Sequence, residues 1–492
     1  MNQYDIIIVG NGVLGLSTAI ALGLEDTALN IAVVGSQDRQ TAATPAAGAM
    51  ISCFGEITET LIKSKYGNKK VAFAHQAISM WNSWLDQINQ FSDNNPLEVK
   101  WGTYLINNSQ GSSLDDNNYD AIVNKMREYN APIEEVAPKD IVGLNPKPSA
   151  RPIRSILIKE DGYIDPNALL QRMEFACQQL NNITLVNERA HAVCYDSQQV
   201  NGVILSNNEQ LKANRVLLAS GIGTQHLIDK IPELKFRIPR LFACGGNAVL
   251  LSTEAAYFAD GAPEAEINPH VIRTPNRAFA CGLHQVPRGE KSAYIGATNW
   301  ATQRPFVKPN VSDAFFLLEC AMEQLNENYV WAQICDWYSG NRPVSADTFP
   351  LIGRTSLDGL WLMTGTFRDG LSLSPLLAKD MANKLLNKEP LCEELFSPER
   401  EPIQVWTKQE AIFEVAKHIE AAVYEHQVVT ATKFGFHHVA GIWMMEGLSK
   451  IYEQIEGNYV LPPELAPMVE VSREKMIPYF NEYYANVAKA WS

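Results

Sequence analysis

Tyr4-Asp5-Ile6-Ile7-Ile8-Val9-Gly10-Asn11-Gly12-Val13-Leu14-Gly15 is the stretch that decides the fold of this chain. Its β-branched run reads as a strand buried on both faces. The glycines follow at once, and a helix-like stretch runs from Leu16 to Leu24 before a second strand at Asn30–Val34. Gly10 permits the tight turn, Gly12 lets the backbone approach a pyrophosphate, and Gly15 allows close helix–strand contact. The helix start offers free N–H groups and a positive dipole end to phosphates. Strand, glycine turn, helix and strand within one βαβ length make this a dinucleotide-binding unit. One expected piece is missing. Where an acidic residue normally receives the ribose hydroxyls, the chain has Gly35-Ser36-Gln37, leaving Ser36, or Asp38 reaching back, as the hydroxyl partner.

Outward from this unit, 492 residues predict two or three domains. Hydrophobic residues at 46% and charged residues at 20% are ordinary for a globular protein. A net charge of -14 argues against a nucleic-acid surface, which needs clustered Lys and Arg. No run of ~18 apolar residues suggests a membrane span, and no signal peptide is read, so the expected compartment is the cytoplasm. The eight cysteines are dispersed without a C-x-x-C pair, which gives neither a zinc site nor a disulfide framework.

Gln40–Met50 is rich in small residues, including Thr44, Ala47 and Gly48, and suits a loop lying against a flat ring. Val71–Ile88 carries Phe73, Ile78, Trp81, Trp84 and Leu85 at helical spacing, read as core. Ser109–Asn118 reads as a polar loop, and Asp161–Pro166 as a turn into a helix near Asn167–Leu180. A strand pair is expected at Ile183–Val186 and Val200–Leu205. Arg215–Gly223 is a second strand with a glycine turn, which includes Gly221. Stretches Ile238–Leu251 and Phe279–Thr298 alternate like strands of an antiparallel substrate domain. From Thr407 the character turns helical: Thr407-Lys408-Gln409-Glu410 matches a capping box, and helices are expected near Val439–Ile455 and Arg473–Lys489. His418, His426, His437 and His438 lack a fixed-spacing ligand set, and no metal is assigned.

Two later motifs favour a flavin. Tyr338-Ser339-Gly340-Asn341-Arg342-Pro343 places an arginine whose planar fork suits a carboxylate, unless it is a plain surface-turn arginine. Gly365-Thr366-Phe367-Arg368-Asp369-Gly370-Leu371-Ser372 forms a strand-end glycine turn before a helix, an anion- or ring-oxygen-binding geometry. With Trp101-Gly102-Thr103, Val286-Pro287-Arg288 and Ile295-Gly296-Ala297-Thr298 in ordered succession, the chain resembles the D-amino-acid oxidase / glycine oxidase family of FAD-dependent amine oxidoreductases, from Tyr4 to about Leu386.

The resemblance implies an α/β fold: a Rossmann-like FAD-binding domain of discontinuous segments (1–85, 151–225, 335–402), an antiparallel-sheet substrate domain (86–150, 226–334) and a helical C-terminal extension (403–492). It implies FAD held by Gly10, Gly12, Val13, Leu14, Gly15, Ser36, Thr44, Ala47, Gly48, Met50, Gly221 and Arg368-Asp369-Gly370-Leu371-Ser372, with Val193 near the adenine. Arg342 would bind the substrate carboxylate beside Arg368, and His284 stands where relatives place a tyrosine over the substrate. The implied reaction removes hydride from the carbon bearing the amine of an amino acid or related amine and gives an imine, with oxygen or another electron acceptor closing the cycle. His284 and the tail also admit an unusual amine or heterocycle as substrate, and a flavin-binding interaction scaffold is the reading outside enzymes. The tail has no counterpart in short members, and is read as a dimer arm, a lid or a graft onto the pocket.

Overall fold

Ile6–Val9 lies inside a six-stranded sheet in the computed structural model, which describes residues 3–92, 95–254, 263–277, 280–425 and 436–492, without the side chains of 424–425 and 436–443. Its neighbours are Ile31–Val34 on one side and Val216–Leu218 on the other, both parallel to it. The sheet continues to Ile183–Val186 at one edge and through Leu360–Thr364 to an antiparallel Leu351–Arg354 at the other. All four residues of the central strand are buried, as a strand covered on both faces requires. Their alternation sorts two cores. Ile6 and Ile8 face a helical layer, and Ile7 and Val9 face the small antiparallel sheet of Ala190–Asp196, Gln199–Leu205 and Gln210–Lys212.

The helical layer contains Val13–Glu25, packed against Ser374–Leu385 and Pro166–Gln179. Helix Lys65–Asn89 joins it, with Trp81, Trp84 and Leu85 buried as the apolar spacing predicts.

A ten-stranded, mostly antiparallel sheet makes the second body. Its spine is the pairing of Leu241–Ser252 with Gln333–Ser345, running from Leu241 opposite Ser345 to Ser252 opposite Gln333. Strands Pro152–Tyr163 and Gln333–Ser345 belong to this sheet, so its segments reach beyond the residues 150 and 334 read from sequence.

Three local expectations are corrected. Ser109–Asn118 is not simply a loop: Ser112 and Asp115 form a capping box, and helix Ser113–Glu128 starts within it, burying Leu114, Asn118 and Ile122. Asp161, Gly162 and Tyr163 end a long strand rather than form a turn, and the following helix starts at Pro166 behind the N-cap Asp165. Ile183–Val186 and Val200–Leu205 do not pair, because one extends the parallel sheet and the other sits in the small antiparallel sheet.

The C-terminal helices Lys408–Glu425, Phe436–Gln454, Ala466–Val471 and Arg473–Trp491 form a bundle on the back of the large sheet. Thr407 and Glu410 make the expected reciprocal cap. Phe242, Cys244, Ala301, Val344 and Ala346 share one core with Leu465, Ala466, Phe480 and Tyr484. Among the described residues no helix is long and apolar enough to cross a membrane.

Candidate active site

A cavity of about 470 Å³ is lined by Gly10–Leu14 and also by His284, Arg342 and Arg368. At its first end, Gly10 has φ +127, and any side chain there would collide with the Ala219 carbonyl of the adjacent strand turn. Helix Val13–Glu25 starts behind Gly12 with no side-chain cap, so its first-turn N–H groups stay turned toward the cavity, apart from Val13, whose N–H reaches Thr44 Oγ1 at 3.3 Å.

The missing ribose acid has a steric cause. A Cβ on Gly35 would run into the side chain of Asn11. Asn11 donates from Nδ2 to the Ser36 carbonyl at 3.1 Å, and its own carbonyl receives Arg39. Ser36, Asp38, Arg39, Arg189 and Ala190 line this part of the cavity. Asp38 is paired with Arg189 at 2.8 Å, which holds its carboxyl below the usual range.

Two turns frame the middle of the cavity. Asp161, buried, accepts from Ser52 Oγ at 2.6 Å, Cys53 N at 2.9 Å and Gly55 N at 2.8 Å, which fixes the turn leading to Glu56. Burial raises its carboxyl pKa, against those donors. The second turn, Thr366–Ser372, is held by Phe367 N to the Pro343 carbonyl at 3.0 Å and by Trp81 Nε1 to the Ser372 carbonyl at 2.9 Å. The core tryptophan therefore anchors a cavity wall, a role its helical spacing did not reveal. Tyr294 and Arg288 hold the facing loop: Tyr294 donates to Ala46 O at 2.9 Å and Arg288 to Gly48 O at 2.9 Å. Burial lowers the Arg288 pKa and pushes Tyr294 up to about 12.

Arg342 and His284 meet at the far end. Arg342 lies on a strand rather than in a turn, opposite Cys244, and its guanidinium folds over Gly246, where a Cβ would strike it. Its Nη1 donates to Thr298 O at 3.2 Å and Asn299 Oδ1 at 3.1 Å, both neutral acceptors. Among the described residues no carboxylate pairs with it, so its charge is available to an anion entering the cavity. His284 is 2% exposed, and Nδ1 donates to the Gly282 carbonyl at 3.0 Å, which leaves Nε2 as an acceptor. A Cβ on Gly48 would sit 3.1 Å from that nitrogen, so it faces the small-residue loop. Burial, reinforced by Arg273, lowers the His284 pKa to about 3 and keeps the ring neutral.

Of the residues named from sequence, the cavity brings together Gly10, Gly12, Val13, Leu14, Ser36, Thr44, Ala47, Gly48, Met50, Gly221, His284, Arg342, Arg368, Gly370, Leu371 and Ser372. Three do not line it. Gly15 lies against the Gly10 carbonyl, where only a hydrogen fits. Val193 is buried in the core between the two sheets, and Asp369 turns away to pair with Lys70 at 2.9 Å. Glu56, Cys281, Thr366 and Phe367 line the cavity and were missed, since no spacing rule marks them. His418 lies 3.4 Å from Glu414, while His426 and the side chains of His437 and His438 fall outside the described residues. Among those described, no group of His, Cys, Asp and Glu is placed to hold a metal ion.

An uncapped helix start, glycine turns on two adjacent strands and a cavity continuing to a buried cationic end together fit a dinucleotide carrying a ring system. The model of the family described as FAD dependent oxidoreductase (DAO) matches residues 5–384. The chain belongs to this family. A glycine oxidase of Pseudomonas aeruginosa is 24% identical over 390 residues, covering 79% of this chain and 96% of its own. A glycine oxidase structure from Geobacillus kaustophilus superposes with a TM-score of 0.67 at 18% identity, over 82% of this chain and all of the other. An L-proline dehydrogenase structure from P. horikoshii gives 0.63 at 14%, over 81% and 98%. As a DAO-family protein the chain is an FAD-dependent oxidoreductase, and the helices after residue 384 lie beyond the family match.

Proposed function

We propose that this DAO-family enzyme oxidises the C–N bond of an amino acid or related amine to the imine, with oxygen as electron acceptor, in the cytoplasm. The observation that carries the reading is Arg342, a cavity arginine held, among the described residues, by neutral oxygens. Such a fork grips a carboxylate bidentately, fixing the substrate's orientation before reaction. Bound FAD supplies the hydride acceptor.

The chain would hold the cofactor with Gly10–Leu14 at its phosphates, Ala47–Met50 along the ring, and Arg368 with Gly370–Ser372 at the ring's polar edge. His284 Nε2 is an acceptor for a substrate amine N–H, and its neutrality avoids adding a positive charge near the nitrogen. Arg342, held by neutral oxygens, disfavours an ammonium beside it, which favours the neutral amine that releases hydride, while the charge of Arg368 is offset by the Glu56 carboxylate. No acid–base pair is required of the protein.

The test is anaerobic flavin bleaching against amino acids, secondary amines and cyclic amines, followed by admission of air. Bleaching by carboxylated amines and peroxide on reoxidation are expected. FAD that no amine reduces would overturn the reading in favour of an interaction scaffold. Peroxide absent, with activity only toward dyes or quinones, would replace oxygen with another acceptor.

A further inference from the structure

The cavity holds a carboxylate that the reaction does not use. Glu56 follows the Ser52–Gly55 turn and lines the cavity together with His284, Arg342 and Arg368. Its side chain is fixed by two donors: Arg273 Nη1 to Oε1 at 2.9 Å and Asn276 Nδ2 to Oε2 at 3.1 Å. Arg273 is itself 1% exposed and is spent on fixed partners, the Thr274 and Cys281 carbonyls and Asn276 Oδ1. It also stands opposite His284 across the strand pair Val271–Arg273 and His284–Pro287, so Glu56 and His284 are supported from the same place in the sheet.

This arrangement keeps Glu56 ionised. Burial works against the charge, but Arg273 and Arg368 outweigh it, and the carboxyl lies below its usual range. An ionised carboxylate has about four acceptor positions, and the two side-chain donors leave lone pairs on each oxygen. Each oxygen thus keeps acceptor capacity on the cavity side, which a donor on the bound molecule can use.

The chemistry of the reaction says which donor. Hydride leaves only from a carbon whose nitrogen is unprotonated, and a carboxylate beside that nitrogen would hold it as ammonium. A fixed anion is therefore suited to a second nitrogen. We propose that Glu56 is the subsite for a cationic group on the substrate's side chain, so that the preferred substrates are basic amino acids, gripped at the carboxylate by Arg342 and at the distal ammonium or guanidinium by Glu56. This rests on the amino-acid reading of the site above. It adds a selection rule: anionic side chains are rejected, neutral ones are accepted weakly, and basic ones are preferred.

The test separates binding from turnover with ligands that have no α-hydrogen. The FAD-loaded full-length protein is titrated with α-methylornithine and with α-methylnorvaline, its uncharged counterpart, by calorimetry and by flavin absorption. The wild type is expected to bind α-methylornithine at least tenfold more tightly. Glu56→Gln should bring the ratio close to one at unchanged FAD content, and Glu56→Asp should keep part of it. A wild-type ratio near one overturns the proposal, as does a ratio that survives Glu56→Gln. An equal loss for both ligands also overturns it, because Glu56 would then serve the α-nitrogen. If Glu56→Gln does not load FAD, the wild-type ratio and Glu56→Asp still decide. If neither ligand binds and Arg342→Ala changes nothing, the amino-acid reading itself fails. Binding of both with equal affinity defeats only the role of Glu56.

Discussion

The side chain of Asn11 fills the space that a residue larger than glycine would need at position 35. The two positions are therefore sterically coupled in this chain: with Asn11 in place, the acid that ends the second strand in other dinucleotide folds has no room at position 35. Gly35→Asp is expected to lower stability by about 1–3 kcal/mol through overpacking and to weaken FAD retention. Asn11→Ala combined with Gly35→Asp should regain FAD affinity. Fluorescence titration of the apoprotein with FAD measures both, and equal affinities for the single and double variants would refute the steric coupling.

Arg342→Ala removes the only fork assigned to the carboxylate. Truncating one partner of a buried charged pair typically costs 2–5 kcal/mol. Anaerobic bleaching should slow by on the order of 10²-fold or more for amino acids, and much less for amines without a carboxylate. Arg342→Lys should fall between, having charge but no planar fork. Equal losses for both substrate classes would remove Arg342 from carboxylate binding.

Asn299 tests positioning rather than contact. Its Oδ1 accepts from Arg342 Nη1 at 3.1 Å and from the Cys244 thiol at 3.3 Å. Asn299→Ala loses a hydrogen bond to a charged group and should raise KM for amino acids about tenfold, with FAD content preserved and kcat less affected. Steady-state kinetics at saturating acceptor separate the two parameters. A change confined to kcat would place the role of Asn299 elsewhere.

His284 gives the protein a defined acid sensitivity. Its pKa is about 3 in the folded chain and ordinarily 6.5. Between those values the unfolded state binds the proton and the folded state does not, so stability is fully present above pH 6.5 and lost as pH falls toward 3. The slope from this one group is at most ~1.4 kcal/mol per pH unit. His284→Gln should unfold less steeply with acid across that window in urea titrations at several pH values. Parallel curves for the variant and the wild type would show that the ring is not held neutral.

The sequence disclosed most where backbone geometry demanded particular residues. Gly10 and Gly15 could be read because no other residue fits those positions, and the buried strands because their apolar runs have no other use. Arg342 and His284 were singled out through the resemblance, which carries order along the chain, and both line the cavity. Glu56 and Asn299 were not. Each is an ordinary polar residue in sequence, and only the fold brings Glu56 to Arg273 and Asn299 to Arg342. The helix at Ser113–Glu128 was missed for a local reason: its capping box uses Asp115 in a stretch whose polarity suggested a loop. Val193 and Asp369, placed beside the cofactor from the sequence, do not line the cavity: one packs in the core and the other pairs with Lys70.

Ile7 pairs with Val216, and Val216 pairs with Leu360. The strand that opens the chain thus obtains its second neighbour only after the ribosome has added some two hundred residues, and the sheet has all its strands only past Leu360. Long loops must close before these contacts reward them, which makes such pairings slow. During synthesis the N-terminal βαβ unit stands with one flank bare, and the glycine turn of residues 219–221 arrives later. A nascent chain that has not yet reached Leu360 therefore carries the whole glycine fingerprint on a sheet that still lacks its last strands.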